Sequence, residues 1–147
     1  MADRDDAPPA DRSAAGTAVA AADHRSGTWR FPVAGTSVRG VRRALRPFLA
    51  DAEIPDDEIE DLVLAACEAA ANAVEHAVHP TEHFFDLTAE TGDGRVEIVV
   101  RDYGRWRTSR PPPGEDGRGL LMMSTLAAVT LTSGPFGTTV TLRRLRL

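Results

Sequence analysis

Residues 68 to 77 read Glu68-Ala69-Ala70-Ala71-Asn72-Ala73-Val74-Glu75-His76-Ala77. On a 3.6-residue repeat, Glu68, Asn72, Glu75, His76 and His79 form one polar stripe. Val63, Ala66, Cys67, Ala70, Val74, Ala77 and Val78 form the opposite, apolar one. Amphipathic helices are ordinary, and Glu and Asn on a solvated face usually carry no chemistry. Two features set this helix apart. Its spacers are almost all Ala, which lets neighbouring elements approach closely, and Asn is a poor helix-interior residue that a solvated face gives no reason to keep. A carboxylate and a carboxamide one turn apart, aimed into a cleft, can hold a hydrated cation.

Upstream of the decapeptide, Pro55, Asp56, Asp57 and Glu58 mark the helix start, with acids facing the positive end of the dipole. The helix is expected to run to about His79 and to stop at Pro80. Before it, Thr28 to Val33 alternates Trp29, Phe31 and Val33 with polar residues, as a strand does. Thr36 or Ser37 can then cap a helix with a core stripe of Val38, Val41, Leu45, Phe48 and Leu49. Its other face carries Arg39, Arg42, Arg43 and Arg46, which is either a solvated surface or a docking surface for an acidic partner.

Downstream, Phe84 to Glu90 and Val96 to Arg101 read as two strands joined by the turn residues Thr91-Gly92-Asp93-Gly94, a hairpin. The second strand ends in Asp102-Tyr103-Gly104-Arg105-Trp106. A carboxylate there can accept a hydrogen bond from an exocyclic amine, and a glycine two residues on lets a flat ring lie against backbone. A Pro-rich loop follows, then Gly117-Arg118-Gly119 at the start of a helix expected over Leu120 to Ala127. Amide groups at such a start, with the helix dipole, can cradle phosphate. Each motif alone is an ordinary turn. Val129 to Thr132, a Gly134-Pro135-Phe136-Gly137 turn and Thr138 to Leu145 close the chain as a second pair of strands.

Composition bounds these readings. A chain of 147 residues suits one domain with one core. With 42% apolar and 27% charged residues it has a globular composition. A net charge of −5 argues against nucleic-acid binding, which needs clustered positive charge. All 17 basic residues are arginine. Cys67 is the single cysteine, so no intramolecular disulfide can form, and its place on the apolar stripe makes it a small core residue. No apolar run approaches the ~20 residues that cross a bilayer. Asp3, Asp5 and Asp6 stand where a secretory signal would have a basic region, so no membrane association is expected and the cytoplasm is the expected location. Residues 1 to 25, poor in large apolar side chains, are expected to be a disordered tail, with residues 26 to 147 as the folded domain.

In order, these motifs resemble those of the GHKL ATP-binding superfamily, and within it the small anti-sigma-factor serine kinases of bacterial partner-switching systems. Glu68-x-x-x-Asn72-Ala73-x-x-His76-Ala77 looks like the asparagine box of that family. Asp102-x-Gly104-x-Trp106 resembles its first glycine box, Gly117-Arg118-Gly119-Leu120 its second, and Gly137-Thr138-Thr139-Val140 its closing strand. The resemblance spans roughly residues 28 to 147. It implies an α+β fold, a two-layer α/β sandwich of the Bergerat type, with helices on one face of a mixed, mostly antiparallel sheet.

The resemblance also implies roles. Asn72 would supply an oxygen to Mg2+, and Glu68 would orient or deprotonate the attacking hydroxyl. Asp102 would accept the adenine amino hydrogen, with Gly104 giving room for the ring and Thr138 lying near the base. Ala73 and His76 would flank the nucleotide with the asparagine box. Thr108 to Glu115 would form the lid, and Gly117, Arg118, Gly119 and Leu120 would meet the phosphates. The cofactors implied are ATP and Mg2+. The partners implied are a sigma factor and a STAS-type anti-anti-sigma protein whose serine is phosphorylated. Members of the family often dimerise, and the Arg39 to Arg46 face is a candidate contact surface. The alternative is a nucleotide-gated protein-binding module of the same fold with little kinase activity. The chain departs from the family pattern at Val78, where an aromatic is usual, and at Pro111, Pro112 and Pro113, which shorten and stiffen the lid.

Overall fold

The computed structural model describes residues 24–78, 80–106 and 115–145. Its elements, in chain order, are β1 (Arg25–Pro32), α1 (Ser37–Asp51), α2 (Asp56–His76), β2 (Ala77–Val78), β3 (Phe84–Gly92), β4 (Arg95–Asp102), β5 (Arg105–Trp106), α3 (Glu115–Leu126), β6 (Ala128–Gly134) and β7 (Gly137–Leu145). The five long strands form one sheet in the order β1-β3-β4-β7-β6, with every pairing antiparallel. β2 and β5 form a separate two-stranded ladder. The expected tail falls on residues 1–23, outside the described residues, and Arg25 already belongs to β1.

Strand alternation builds the sandwich. Phe85, Leu87 and Ala89 on β3, Val96, Ile98 and Val100 on β4, and Val140 and Leu142 on β7 all point to one face and are buried there. Val41, Leu45 and Leu49, spaced one helical turn apart on α1, cover that face together with Leu62, Val63 and Ala66 of α2 and Met123 of α3. The other face of the sheet is polar. One row across all five strands reads Thr28, Thr88, Val99, Thr141 and Thr130. Cys67 is buried, as its place on the apolar stripe implies, and burial pushes its thiol up.

The β3–β4 turn is tighter than four residues. Gly92 pairs with Arg95, so only Asp93 and Gly94 turn the chain, both at positive φ (53° and 72°), the pattern of a two-residue type I′ hairpin.

Three expectations need correction. Neither Thr36 nor Ser37 caps α1 with its side chain. Thr36 has helical dihedrals and makes no capping bond, while the Ser37 hydroxyl donates to Pro32 O at 2.6 Å, tying the helix start to the end of β1. The second helix stops at His76 rather than His79. Ala77 and Val78 leave its apolar stripe to pair with Trp106 and Arg105, and Pro80 disfavours helical backbone at the residue before it. His79 itself lies outside the described residues. The last helix begins at Glu115, five residues earlier than Leu120, so Gly117 and Gly119 lie within its first two turns instead of preceding it.

Candidate functional site

α2 is the helix that carries the asparagine motif, and it contacts α1, α3, β4 and β7. Such a central position requires burial on more than one side. Leu62, Val63, Ala65, Ala66, Ala69, Ala70 and Ala73 are all essentially inaccessible, and Ala at four of the five positions between 65 and 70 other than Glu68 keeps the helix narrow enough to be covered that way. Asn72 shares the burial, at 4% exposure. Among the described residues, no hydrogen bond reaches its carboxamide. Glu68, one turn earlier, is partly buried, and Glu75 is exposed.

The second cluster is built by β4 and β7. Asp102 ends β4 opposite Thr138, and both are buried, at 2% and 1% exposure. Asp102 Oδ1 accepts the Gly104 amide at 3.1 Å and the Thr138 amide at 3.3 Å. Both bonds fall on one oxygen, which fixes the plane of the carboxylate. The Thr138 hydroxyl lies 3.2 Å from that of Ser133 on β6. Gly137 is required by close approach, since a Cβ there would sit 2.4 Å from the Asp102 carbonyl oxygen. Asp102, Gly104 and Thr138 are thus joined by direct bonds.

Gly117, Arg118, Gly119 and Leu120 lie in the first two turns of α3, which contacts α2. Ala73 is buried within α2, and His76 is its last residue. The lid residues 108 to 114 lie outside the described residues, and Glu115 is the first residue of α3. Among the described residues there is no group of three or more His, Cys, Asp or Glu side chains gathered as metal ligands, and no helix is long and apolar enough to cross a membrane.

Tyr103, a mere spacer in the motif Asp102-x-Gly104, proves to be the centre of a network that motif reading misses. Its hydroxyl donates to Asp86 Oδ2 at 2.5 Å, and Arg30 holds the same carboxylate with Nε at 2.8 Å and a terminal nitrogen at 3.2 Å. These bonds keep the Asp86 carboxyl below its usual range, with Arg30 the larger cause, and push the Tyr103 phenol up. The signal available in the sequence was period two: if Asp102 points inward, Tyr103 points out.

The fit to a magnesium nucleotide follows from the donor set. Mg2+ takes oxygen ligands and few of them from protein, which suits one buried carboxamide oxygen beside a carboxylate one turn away. A buried carboxylate held by two backbone amides is a directional acceptor for an exocyclic amine.

The model of the histidine kinase-like ATPase domain matches residues 31–144. Serine-protein kinase RsbW of Staphylococcus epidermidis is 34% identical over 77 residues, 51% of this chain and 48% of that protein. The chain therefore spans about half the length of the curated relatives it matches. Among solved structures, the RsbU and RsbW domains of a Mycobacterium tuberculosis protein align with a TM-score of 0.68 at 28% identity, covering 82% of this chain and 32% of that one. The SiaB–SiaC complex of Pseudomonas aeruginosa aligns with a TM-score of 0.60 at 10% identity, covering 93% and 100%, which shows the fold alone. With a family model covering most of its length, the chain belongs to the histidine kinase-like ATPase domain family and is similar within it to the RsbW serine kinases.

Proposed function

We propose that this chain is an ATP-binding anti-sigma factor with serine kinase activity, which phosphorylates a serine of a STAS-type anti-anti-sigma partner and sequesters a sigma factor. One observation carries the nucleotide part: Asp102 and Thr138, buried on adjacent strands, are bonded through a carboxylate oxygen that also holds Gly104. The similarity to serine-protein kinase RsbW supports the kinase part and the choice of partners.

Within that reading, Asp102 receives the adenine amine and Gly104 leaves room for the ring. Thr138 borders the base, while Ala73 and His76 flank the nucleotide from α2. The amides of Gly117 to Leu120, Arg118 among them, meet the phosphates at the start of α3, where the helix dipole favours negative charge. Asn72 would hold Mg2+, which neutralises phosphate charge when bound. Glu68, one turn before Asn72, orients the partner serine hydroxyl and takes its proton. The domain is the part from residue 26 onward, acting in the cytoplasm, and the arginines of α1 offer an acidic partner or a second copy a surface to meet.

The test has two arms. Mg-ATP should bind in calorimetry and raise the thermal midpoint, and the absence of both effects at millimolar nucleotide would remove the nucleotide reading. Glu68→Gln should bind Mg-ATP as the wild type does and lose at least about 100-fold in transfer to the partner serine, the low end of what a positioned base contributes. Unimpaired transfer would take Glu68 out of that role. ATP binding without any transfer in the wild type would leave the gated binding module in its place.

A further inference from the structure

Asp102 and Gly104 stand where the sheet has lost one of its neighbours. The β3–β4 ladder ends with the pair Asp86 and Arg101, whereas the β4–β7 ladder continues one step to Asp102 and Thr138. At Asp102 the strand is therefore held by ladder pairing on the β7 side alone. On the β3 side the ties come through the intervening residue, Tyr103.

Those ties are several. The Tyr103 hydroxyl donates to Asp86 at 2.5 Å, and Asp86 is fixed by the two-pronged Arg30 contact. The ring meets Phe84 edge-on, with centroids 5.3 Å apart, and the Arg101 guanidinium lies 4.9 Å from its centre. Arg30 in turn lies 3.7 Å over the Phe84 ring, so the same cation braces both the carboxylate and the aromatic wall. The Tyr103 carbonyl accepts from both the amide and the hydroxyl of Thr81, at 2.9 Å and 3.1 Å, tying this turn to the segment that follows α2. Charge-assisted hydrogen bonds to an ionised carboxylate are the strong kind, and the bidentate Arg30 geometry adds direction to strength.

A rigid Tyr103 has a consequence one residue either side. Asp102 can take an amine in one orientation only if the turn bearing it does not rock about the β7 ladder, and Tyr103 resists that motion from the opposite face of the sheet. From this we infer that Tyr103, through its bond to Asp86, is a positioning residue that sets how strongly the pocket discriminates for the 6-amino group of the purine. The inference rests on the nucleotide reading of Asp102. It makes the β1 edge, through Arg30, part of the nucleotide site without touching the nucleotide.

Tyr103→Phe keeps the ring and its packing and removes only the hydroxyl. Calorimetric titration with Mg-ATP and with the triphosphate of purine riboside, which lacks the 6-amino group, reads the effect. ATP affinity should fall about tenfold, the range expected for a hydrogen bond to a charged group, while the purine riboside nucleotide should bind unchanged. Asp86→Ala should reproduce this, and the double variant should lose no more than either single one, because both remove the same bond. Asp86→Asn, which keeps an acceptor for the phenol, should recover most of the discrimination. Unchanged ATP binding in a folded Tyr103→Phe protein would overturn the inference, and so would equal losses for the two nucleotides, which mark a general structural role. Absence of ATP binding in the wild type would bring down the nucleotide reading and this inference with it. Loss in the variants alone separates the two.

Discussion

The two long helices lie side by side against the same sheet and obey different rules. α1 buries Val41, Leu45 and Leu49 on one stripe and turns Arg39, Arg42 and Arg43 to solvent, so its energy comes from large side chains on one face. α2 is covered by α1, α3 and the sheet, and it achieves this with Ala at 65, 66, 69, 70 and 73. One helix is a support and the other a wall that several elements must reach. The buried polar group of α1, Ser37, sits at its first residue and is bonded to Pro32 O, whereas α2 carries Asn72 into the wall near its C-terminal end. A buried polar side chain in the interior of a helix is kept where function requires it, and the contrast points to α2.

If the contrast is right, the two helices should fail in opposite ways. Leu45→Ala on α1 leaves a cavity at a fully buried position and should cost about 3 kcal/mol in denaturant unfolding, within the usual span for such truncations. On α2 the damaging change is an increase in size. Ala70→Leu at an equally buried position should cost about 2 kcal/mol through overpacking, whereas the same substitution at the partly exposed Ala71 should cost little. A neutral Ala70→Leu would mean that α2 is not tightly covered after all.

Asn72→Leu separates stability from function on the same helix. Replacing a buried amide by an apolar side chain of similar size should leave the nucleotide-free protein at least as stable as the wild type, seen as an unchanged or raised thermal midpoint. Metal-dependent nucleotide binding should be lost in the same variant, while binding measured without Mg2+ should fall much less. Equal losses with and without the metal would contradict the role given to Asn72. A drop in stability would show that the carboxamide is a structural group.

The contrast also explains what could be read from the chain beforehand. α1 was legible because large apolar and charged residues alternate at helical spacing. α2 was legible as a helix, but its second buried side was not. Alanine is equally at home in core and on surface, so Ala65, Ala69 and Ala73 give no periodic signal. The five long strands and both hairpins followed from alternation and from Gly92, Asp93, Gly134 and Gly137. Element ends were read less well where tertiary contacts set them. Ala77 and Val78 continue the helical pattern yet are taken by pairing with Trp106 and Arg105, and α3, which packs against α2, extends back through Gly117 and Gly119, poor helix formers. Asp102, Gly104 and Thr138 were legible as motif positions. Their joining through a single carboxylate oxygen was not, because register across β4 and β7 is a property of the folded sheet.

The smallest effect lies where α1 ends, by rules that are local. The Ile54 amide donates to Leu49 O at 3.1 Å and the Glu53 amide to Ala50 O at 2.9 Å, the paired bonds of a Schellman motif. Ile54 is buried behind it, as the hydrophobic contact of that motif requires. The residue between, Glu53, has φ 63°, a conformation in which an L side chain costs about 1 kcal/mol and glycine costs almost nothing. Glu53 is exposed, so its side chain has little packing to lose. Glu53→Gly relieves the strain but also frees the unfolded chain, which offsets part of the gain. The net expectation is a stabilisation of roughly 0.5 kcal/mol, read as a rise of about 1–2 °C in thermal midpoint with nucleotide affinity unchanged. The same exchange at His76, where α2 ends in a ladder with β5, relieves no left-handed strain and should be destabilising. Opposite signs at the two helix ends would show that α1 terminates by its own backbone geometry and α2 by what it meets.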